Sequence, residues 1–134
     1  MKCLSLKQPY ADLLVEGKKT IELRKWKTKF RGTFLVHASR VPFEGSYDKS
    51  RLGCIVGMAT LTDVKHYQTI EEWSKDYDKH RADDDFVSSH YGFIIVNPIK
   101  FERPINFAGS LNFFNVLFDK ESLSAKQFIQ EKLS

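Results

Sequence analysis

The sequence predicts a small α+β protein built on an antiparallel β-barrel, or strongly curved sheet, with about three flanking helices. Segments of strand character follow one another mostly without an intervening helix, which favours antiparallel pairing over a doubly wound parallel sheet. Helical spacing or capping-box patterns occur near the start, the middle and the end of the chain. The 134 residues, of which 42% are hydrophobic and 28% charged, are enough for one hydrophobic core. We therefore expect one domain over residues 1–134.

The N-terminal elements are a strand and a helix. Residues 2–6 have the length and apolar character of a short strand. Residues 8–16 predict the helix, because Pro9 suits its first turn and apolar side chains recur on one face. Gly17 then ends the helix as a left-handed cap.

Residues 20–26 predict a half-buried strand with one polar face. Ile21 and Leu23 alternate with Glu22 and Arg24, and successive side chains in a strand point to opposite faces. Glu22 and Arg24 should therefore project from the same face, about 7 Å apart along the strand.

Two longer strands flank a loop in the middle of the chain. Residues 33–39 are apolar enough for a buried strand, whereas residues 41–53 contain proline, glycine and several polar residues, which predicts a loop. Residues 54–66 predict a long strand. Gly57 within it permits the kind of bulge that lets a sheet curl into a barrel.

The C-terminal half begins with a helix. Thr69 and Glu72 form a capping-box pattern that starts this helix, which is expected to end near His80. Residues 82–89 are acidic and polar without periodicity, which predicts a loop beside the site, of a composition typical of mobile loops. Three strand segments, the first two interrupted at Pro98, and a last helix follow at residues 91–96, 99–102, 111–118 and 124–133.

Charge is distributed unevenly along the chain, although the net charge is a modest +4. Residues 18–31 carry seven basic residues against one acid, whereas residues 71–85 are mainly acidic. The basic segment predicts attraction to polyanions. A normally solvated lysine-rich surface, an acidic protein partner and the acidic helix of a second copy are the alternatives.

Composition also narrows the compartment and the chemistry. Cys3 and Cys54 form no C-x-x-C pair and are expected to be small core residues. No apolar run reaches the roughly 20 residues needed to cross a bilayer, and no secretory signal is apparent, so a cytoplasmic location is expected. We predict no cofactor, since no dinucleotide or phosphate-loop motif is present. We also predict no metal, because the candidate ligands match no standard spacing; these are His66, His80, His90, Asp83, Asp84 and Asp85.

Three linked segments near the N-terminus resemble a known family. The sequence GKKTIELR at residues 17–24 follows the pattern G-x-K-x-x-E-x-R, with LSLKQPYA at residues 4–11 before it and FLVHAS at residues 34–39 after it. In order and spacing these segments are similar to the ASCH family of the PUA-like superfamily, and the likeness extends over the whole chain. The resemblance implies a PUA-like barrel in which the motif strand and the first helix border a cleft. It also implies RNA binding or action on modified nucleosides, which family members are generally taken to perform.

The charged residues of the motif are also suited, by their chemistry, to binding a polar ligand. The planar fork of Arg24 suits a phosphate or a base edge, and Glu22 can accept hydrogen bonds from an amino group. Lys19, at the entrance to the strand, could contact phosphate, or act as a base if burial lowers its pKa. The alternative is that Glu22 and Arg24 neutralise each other on a barrel wall, with Lys19 solvated at the turn.

Neighbouring residues complete the predicted site. Tyr10 and Trp26 offer stacking surfaces of the kind used by single-stranded nucleic-acid sites. His37 belongs to a matching segment, but a histidine inside an apolar strand is also typical of a hydrogen-bonded core residue. The predicted ligand-binding set is Lys7, Gln8, Tyr10, Lys18, Lys19, Glu22, Arg24, Lys25, Trp26, Lys27 and Ser39.

Two functions follow from this site. The first is binding of RNA, or of a modified nucleoside, in a basic cleft around the motif. The alternative is a metal-independent hydrolase of RNA or of a modified nucleoside such as N4-acetylcytidine, with Lys19 and Glu22 as catalytic residues. The resemblance implies a lysine, a threonine and a glutamate in the deacetylating branch of the family. Lys19 matches that lysine, but Glu22 occupies the position of the threonine, so the catalytic set is not reproduced in place.

Overall fold

Six strands form one sheet in this protein. The computed structural model describes residues 1–42, 48–82 and 85–116. The strands are β1 (Lys2–Leu6), β2 (Ile21–Arg24), β3 (Gly32–Ala38), β4 (Cys54–His66), β5 (Tyr91–Asn106) and β6 (Phe113–Asn115). The helices in these residues are α1 (Tyr10–Val15), α2 (Ile70–Lys75), α3 (Tyr77–His80) and a 3-10 turn at Lys49–Arg51.

The sheet curls strongly, as the fold prediction requires. Its strand order is β2-β5-β4-β3-β1-β6, and its ladders are antiparallel apart from the parallel pair β1 and β3. The long strands β4 and β5 pair with three shifts of register, and such bulges bend and twist a sheet. Trp26, just beyond β2, consequently meets Phe113 of β6 edge to face, with ring centroids 6.0 Å apart. The sheet is thus curled into a half-barrel in which side chains from the two edges touch although β2 and β6 do not pair in the described sheet.

Gly57 permits a close approach of neighbouring backbone within this curled sheet. A Cβ atom at this position would lie 2.2 Å from the carbonyl oxygen of Ile99 and 2.7 Å from Cγ1 of Val15. The backbone of β4 can therefore approach both β5 and α1 only because glycine has no side chain. The predicted bulge is confirmed by the register shift between Ile55 and Gly57.

Alternate residues of β1 and β3 pack on the two faces of the sheet. Leu4 and Val36 belong to the cluster inside the curl, which α1 also covers with Leu14, whereas Cys3 and Leu35 belong to a second cluster on the other face. Both cysteines are buried and free, which confirms their predicted role as core residues. No helix in the described residues is long and apolar enough to cross a membrane.

Several boundaries differ from prediction for identifiable reasons. The two strand segments on either side of Pro98 are one strand, β5, because Asn97 takes a left-handed conformation (φ 51°) that absorbs the irregularity. The middle helix is divided at Asp76 into α2 and α3. The strand predicted for residues 111–118 is observed as β6, and residues 117–118, like the predicted helix at 124–133, lie outside the described residues.

Candidate functional site

A cleft of about 1030 Å³ opens where the motif strand faces the C-terminal ends of β1 and β3. Its wall is formed by β2 and the residues that follow it, the start of α1, the ends of β1 and β3, and the segment 109–112. Ala82 and Ser88, from the predicted loop, also reach it. The sheet order leaves β2 at one edge and β6 at the other, and residues next to both edges, Trp26 and Asn112, line the cleft.

Strand alternation directs two motif side chains into this cleft. Glu22 is opposite Phe93 and Arg24 is opposite Tyr91 in the ladder with β5. Both side chains line the cleft, whereas Ile21 is buried on the other side of the strand against Gly92. The predicted shared face of Glu22 and Arg24 is therefore confirmed.

Lys19, Glu22 and Arg24 form a chain of charges with the carboxylate at its centre. Nζ of Lys19 is 3.3 Å from Oε1 of Glu22, and Nη2 of Arg24 is 2.7 Å from Oε2. Nε of Arg24 also donates to Oε2, at 3.0 Å. Each carboxylate oxygen thus faces a cation, and two nitrogens of the Arg24 guanidinium share the single oxygen Oε2 in a charge-assisted contact. Glu22 and Arg24 thus neutralise each other, as the alternative interpretation of the motif expected, and both residues also line the cleft.

Lys19 is held deep in the wall. Its side chain is 3% exposed, its ammonium donates a hydrogen bond to the backbone carbonyl of His80, and Nζ lies 5.4 Å from the centroid of the Tyr10 ring. Burial lowers the pKa of Lys19 below its ordinary value; Glu22 partly opposes this shift and Arg24 adds to it. The alternative of a Lys19 solvated at the turn is therefore wrong, because the side chain is buried.

Arg24 ties the motif strand to the opposite edge of the cleft. Its Nη2 donates to the carbonyl oxygen of Ser5 at 2.9 Å, beyond the stretch of β1 that pairs with β6. The guanidinium also lies 5.9 Å from the centroid of the Trp26 ring, within cation–π range. The Trp26 ring in turn packs edge to face on Phe93, at 5.2 Å between centroids.

The structure brings most of the predicted site together. The predicted residues in the cleft wall are Lys7, Tyr10, Lys19, Glu22, Arg24, Lys25, Trp26 and Ser39, with His37 beside them. Three others are elsewhere. Lys18 is 60% exposed beside Glu16 at 3.7 Å, and Lys27 is exposed outside the wall. Gln8 is fully buried, where Oε1 accepts from the backbone N–H of Asp12 at 3.0 Å and Nε2 meets no partner in the described residues.

Other cleft residues were missed from the sequence. Arg40, just after β3, and residues 109–112 line the wall, yet neither stretch carries a motif. Arg40 brings the basic residues of the cleft to five, with Lys7, Lys19, Arg24 and Lys25, against the single acid Glu22 in the described wall. The cleft therefore carries a positive field that attracts anions.

Two of the three histidines named as candidate metal ligands, His80 and His66, make other contacts. His80 is fully buried; its Nε2 donates to the carbonyl of Trp73 at 2.7 Å, and its Nδ1 accepts from the N–H of Ala82 at 3.1 Å. The His66 ring stacks on Tyr91 with 4.5 Å between centroids. Asp83 and Asp84 lie outside the described residues.

Comparison with known proteins agrees with this architecture. The family model for the ASCH domain matches residues 4–105. Activating signal cointegrator 1 of Mus musculus is 30% identical over 118 residues, which covers 72% of this chain and 19% of that protein. This chain therefore corresponds to a small part of that relative.

Solved structures show the same fold. The crystal structure of ASCH from Zymomonas mobilis superimposes with a TM-score of 0.68 at 17% identity, covering 96% of this chain and 93% of that one. A mutant of the same protein gives a TM-score of 0.67, also at 17% identity, over 97% and 94% of the two chains. This chain is a small curled-sheet protein of the PUA-like class, a fold associated with RNA binding. It belongs to the ASCH domain family.

Proposed function

We propose that this protein binds RNA, or a modified nucleoside within RNA, in the cleft around residues 17–24. The excess of basic residues in that wall, five against one acid, is the observation that carries the proposal. Phosphate contacts by lysine and arginine supply most of the sequence-independent affinity for nucleic acid. The family's association with RNA binding supports the same conclusion.

The charged side chains of the cleft wall fall into an exposed group and a buried group. Lys7, Lys25 and Arg40 are exposed and would contact phosphates. Glu22 and the side chain of Arg24, 10% and 20% exposed, are held rigidly by their mutual contacts and would recognise the polar edge of a base. The pre-formed pair costs little ordering on binding, which favours affinity.

Two half-buried aromatic rings complete the proposed site. Tyr10 and Trp26 both line the cleft and also pack against the core. Rings held in this way offer rigid stacking surfaces for unpaired bases, as is common in single-strand recognition. We therefore propose single-stranded RNA, or an unpaired loop, as the ligand.

Fluorescence anisotropy with labelled single-stranded RNA and tRNA tests this proposal. Affinity should fall steeply between about 50 and 200 mM salt. Lys25→Ala should weaken binding and reduce the slope of log affinity against log salt by about 0.7 to 1, the value for one lost phosphate contact. Lys29→Ala is the matched control, since Lys29 is an exposed lysine of the same basic segment that lies outside the cleft wall. Undetectable binding at low salt, or equal effects of the two substitutions, would contradict the proposal.

A hydrolase is the second candidate, and the buried Lys19 is the observation that favours it. Its lowered pKa increases the share of neutral amine able to act as base or nucleophile. Against it, both oxygens of Glu22 already face cations. Turnover of N4-acetylcytidine or labelled RNA above a Lys19→Ala control would establish this activity, and no turnover above that control would remove it.

We also propose that the protein works in the cytoplasm. Both cysteines are free thiols, which suits a reducing compartment. Fractionation of cells expressing the tagged protein would test the location.

A further inference from the structure

Ser5 and His37 form a hydrogen-bonded pair in the cleft wall that the proposed RNA site does not use. Oγ of Ser5 lies 2.9 Å from Nδ1 of His37. The two residues are register partners in the parallel ladder of β1 and β3, so two buried strands fix their separation. Both side chains line the cleft.

A third group orients the imidazole. Nε2 of His37 lies 2.6 Å from the carbonyl oxygen of Phe107. A carbonyl can only accept, so Nε2 carries the proton and Nδ1 has a free lone pair. The Ser5 hydroxyl must then donate to Nδ1. Nucleophile, base and orienting acceptor are thus arranged in the order that activates a serine.

The surroundings keep His37 neutral. The residue is 2% exposed, and burial lowers its pKa, an effect to which the positive charge of Arg40 adds. The bond to Phe107 and a weaker interaction with the Gly53 backbone oppose the shift without reversing it. Arg40 is the charged group acting on the ring from the described residues around it, since Ser5, Gly109 and the nearby Phe114 ring carry no charge. At neutral pH the imidazole is therefore available as a base.

The backbone at Gly109 packs directly against Ser5 and His37. A Cβ atom there would lie 2.6 Å from Cε1 of His37 and 3.2 Å from Oγ of Ser5. The glycine lets its backbone cover the imidazole while Ser5 stays partly exposed to the cleft. On the other side of Ser5, Arg24 holds the serine carbonyl at 2.9 Å, so the nucleophile sits on an anchored backbone.

We propose that Ser5 is a nucleophile activated by His37, and that the cleft hydrolyses an acyl ester carried by a nucleotide. Oγ of Ser5 attacks the acyl carbon, and its proton passes to Nδ1 of His37. The carbon–oxygen bond to the leaving alcohol breaks, and that alcohol takes the proton from His37. Water then attacks the acyl-serine and gives a proton to Nδ1 of His37. The bond between the acyl carbon and Oγ breaks, His37 returns that proton to Oγ of Ser5, and the carboxylic acid leaves. The assignment of a nucleotide as the carrier rests on the proposed RNA-binding function, because the basic wall would hold its phosphates. The activation of Ser5 by His37 is independent of that function.

An alkyl fluorophosphonate tests the nucleophile directly, because such probes form a stable bond to an activated serine oxygen with loss of fluoride. The wild-type protein, with no RNA present, is expected to gain one adduct, and peptide mapping should place it on Ser5. Ser39 and Ser110 line the same cleft and bond to no imidazole in the described part of the chain, so they act as internal controls. Labelling should be absent in Ser5→Ala and about 100-fold slower or more in His37→Asn. Its rate should be level at neutral pH and fall in acid as His37 takes up a proton.

Failure of the probe and failure of RNA binding are separate results, since labelling is measured without RNA. No adduct on Ser5, or equal labelling of Ser39 and Ser110, would overturn the proposal. If His37→Asn does not fold, as judged by circular dichroism, the pH dependence of wild-type labelling still tests whether His37 activates Ser5. A rate that rises continuously with pH, as for an unassisted hydroxyl, would refute activation by His37.

Discussion

Replacing Glu22 with Gln should destabilise the fold by about 3 kcal/mol, because it leaves the buried Lys19 without its counter-charge. Glu22 lies 3.3 Å from the Lys19 ammonium and 2.7 Å from the Arg24 guanidinium. With an effective dielectric constant of about 20, each contact corresponds to about 5 to 6 kcal/mol of Coulomb energy. Desolvation of the three groups offsets much of this attraction. The residual cost of breaking a buried pair is about 3 to 5 kcal/mol, and we take the lower end because Gln keeps a hydrogen-bond acceptor.

Urea unfolding followed by circular dichroism measures this loss. Glu16→Gln is the matched control, because Glu16 also lies between two lysines, Lys18 at 3.7 Å and Lys100 at 2.8 Å, which are 60% and 42% exposed. Such surface pairs contribute about 1 kcal/mol or less. Lys19→Met combined with Glu22→Gln should cost less than the sum of the two single changes, since removing Lys19 removes the uncompensated charge. An equal loss of unfolding free energy in Glu16→Gln and Glu22→Gln, or strict additivity in the double variant, would refute the energetic coupling between Lys19 and Glu22.

Two further predictions concern the sheet and the buried histidines. Gly57→Ala should lower the free energy of unfolding by about 2 to 3 kcal/mol in thermal or urea unfolding, because its Cβ would lie 2.2 Å from a backbone oxygen. Gly17→Ala is the control, since φ is 79° but the nearest atom is 3.5 Å away, and it should lower that free energy by about 1 kcal/mol. A larger loss of stability at Gly17 than at Gly57 would contradict the steric argument. Burial lowers the pKa of both His37 and His80, so the unfolded chain takes up protons first as the pH falls below about 6.5. The free energy of unfolding should therefore be fully retained above that pH and decrease as the pH falls toward the folded-state pKa values. Unfolding titrations across this range should show the decrease, with a smaller slope in His80→Asn; a flat profile in the wild type would show that the histidines are not held neutral.

Local patterns in the chain were sufficient for much of the fold. The predicted strand at residues 54–66 matches β4 at both ends, and alternation placed Glu22 and Arg24 on one face. The bulge predicted at Gly57 is present, and the capping-box pattern placed the N-cap correctly, since the Thr69 hydroxyl accepts from the N–H of Glu72 at 3.2 Å. Period-2 alternation, a glycine inside an apolar run and a three-residue capping spacing are all properties of neighbouring residues, so sequence alone reveals them.

The chemistry of the cleft depends on contacts between distant parts of the chain. The carbonyl that holds Lys19 belongs to His80, 61 residues away, and the carbonyl that orients His37 belongs to Phe107, 70 residues away. Ser5 meets His37 because β1 and β3 pair in parallel, which alternation along either strand does not specify. The sequence by itself determined which residues share a strand face and that the motif belongs to an ASCH domain. The tertiary structure decided that Lys19 is buried, that Arg40 reaches the wall and that Ser5 has a base, since burial and proximity are set by how the sheet closes.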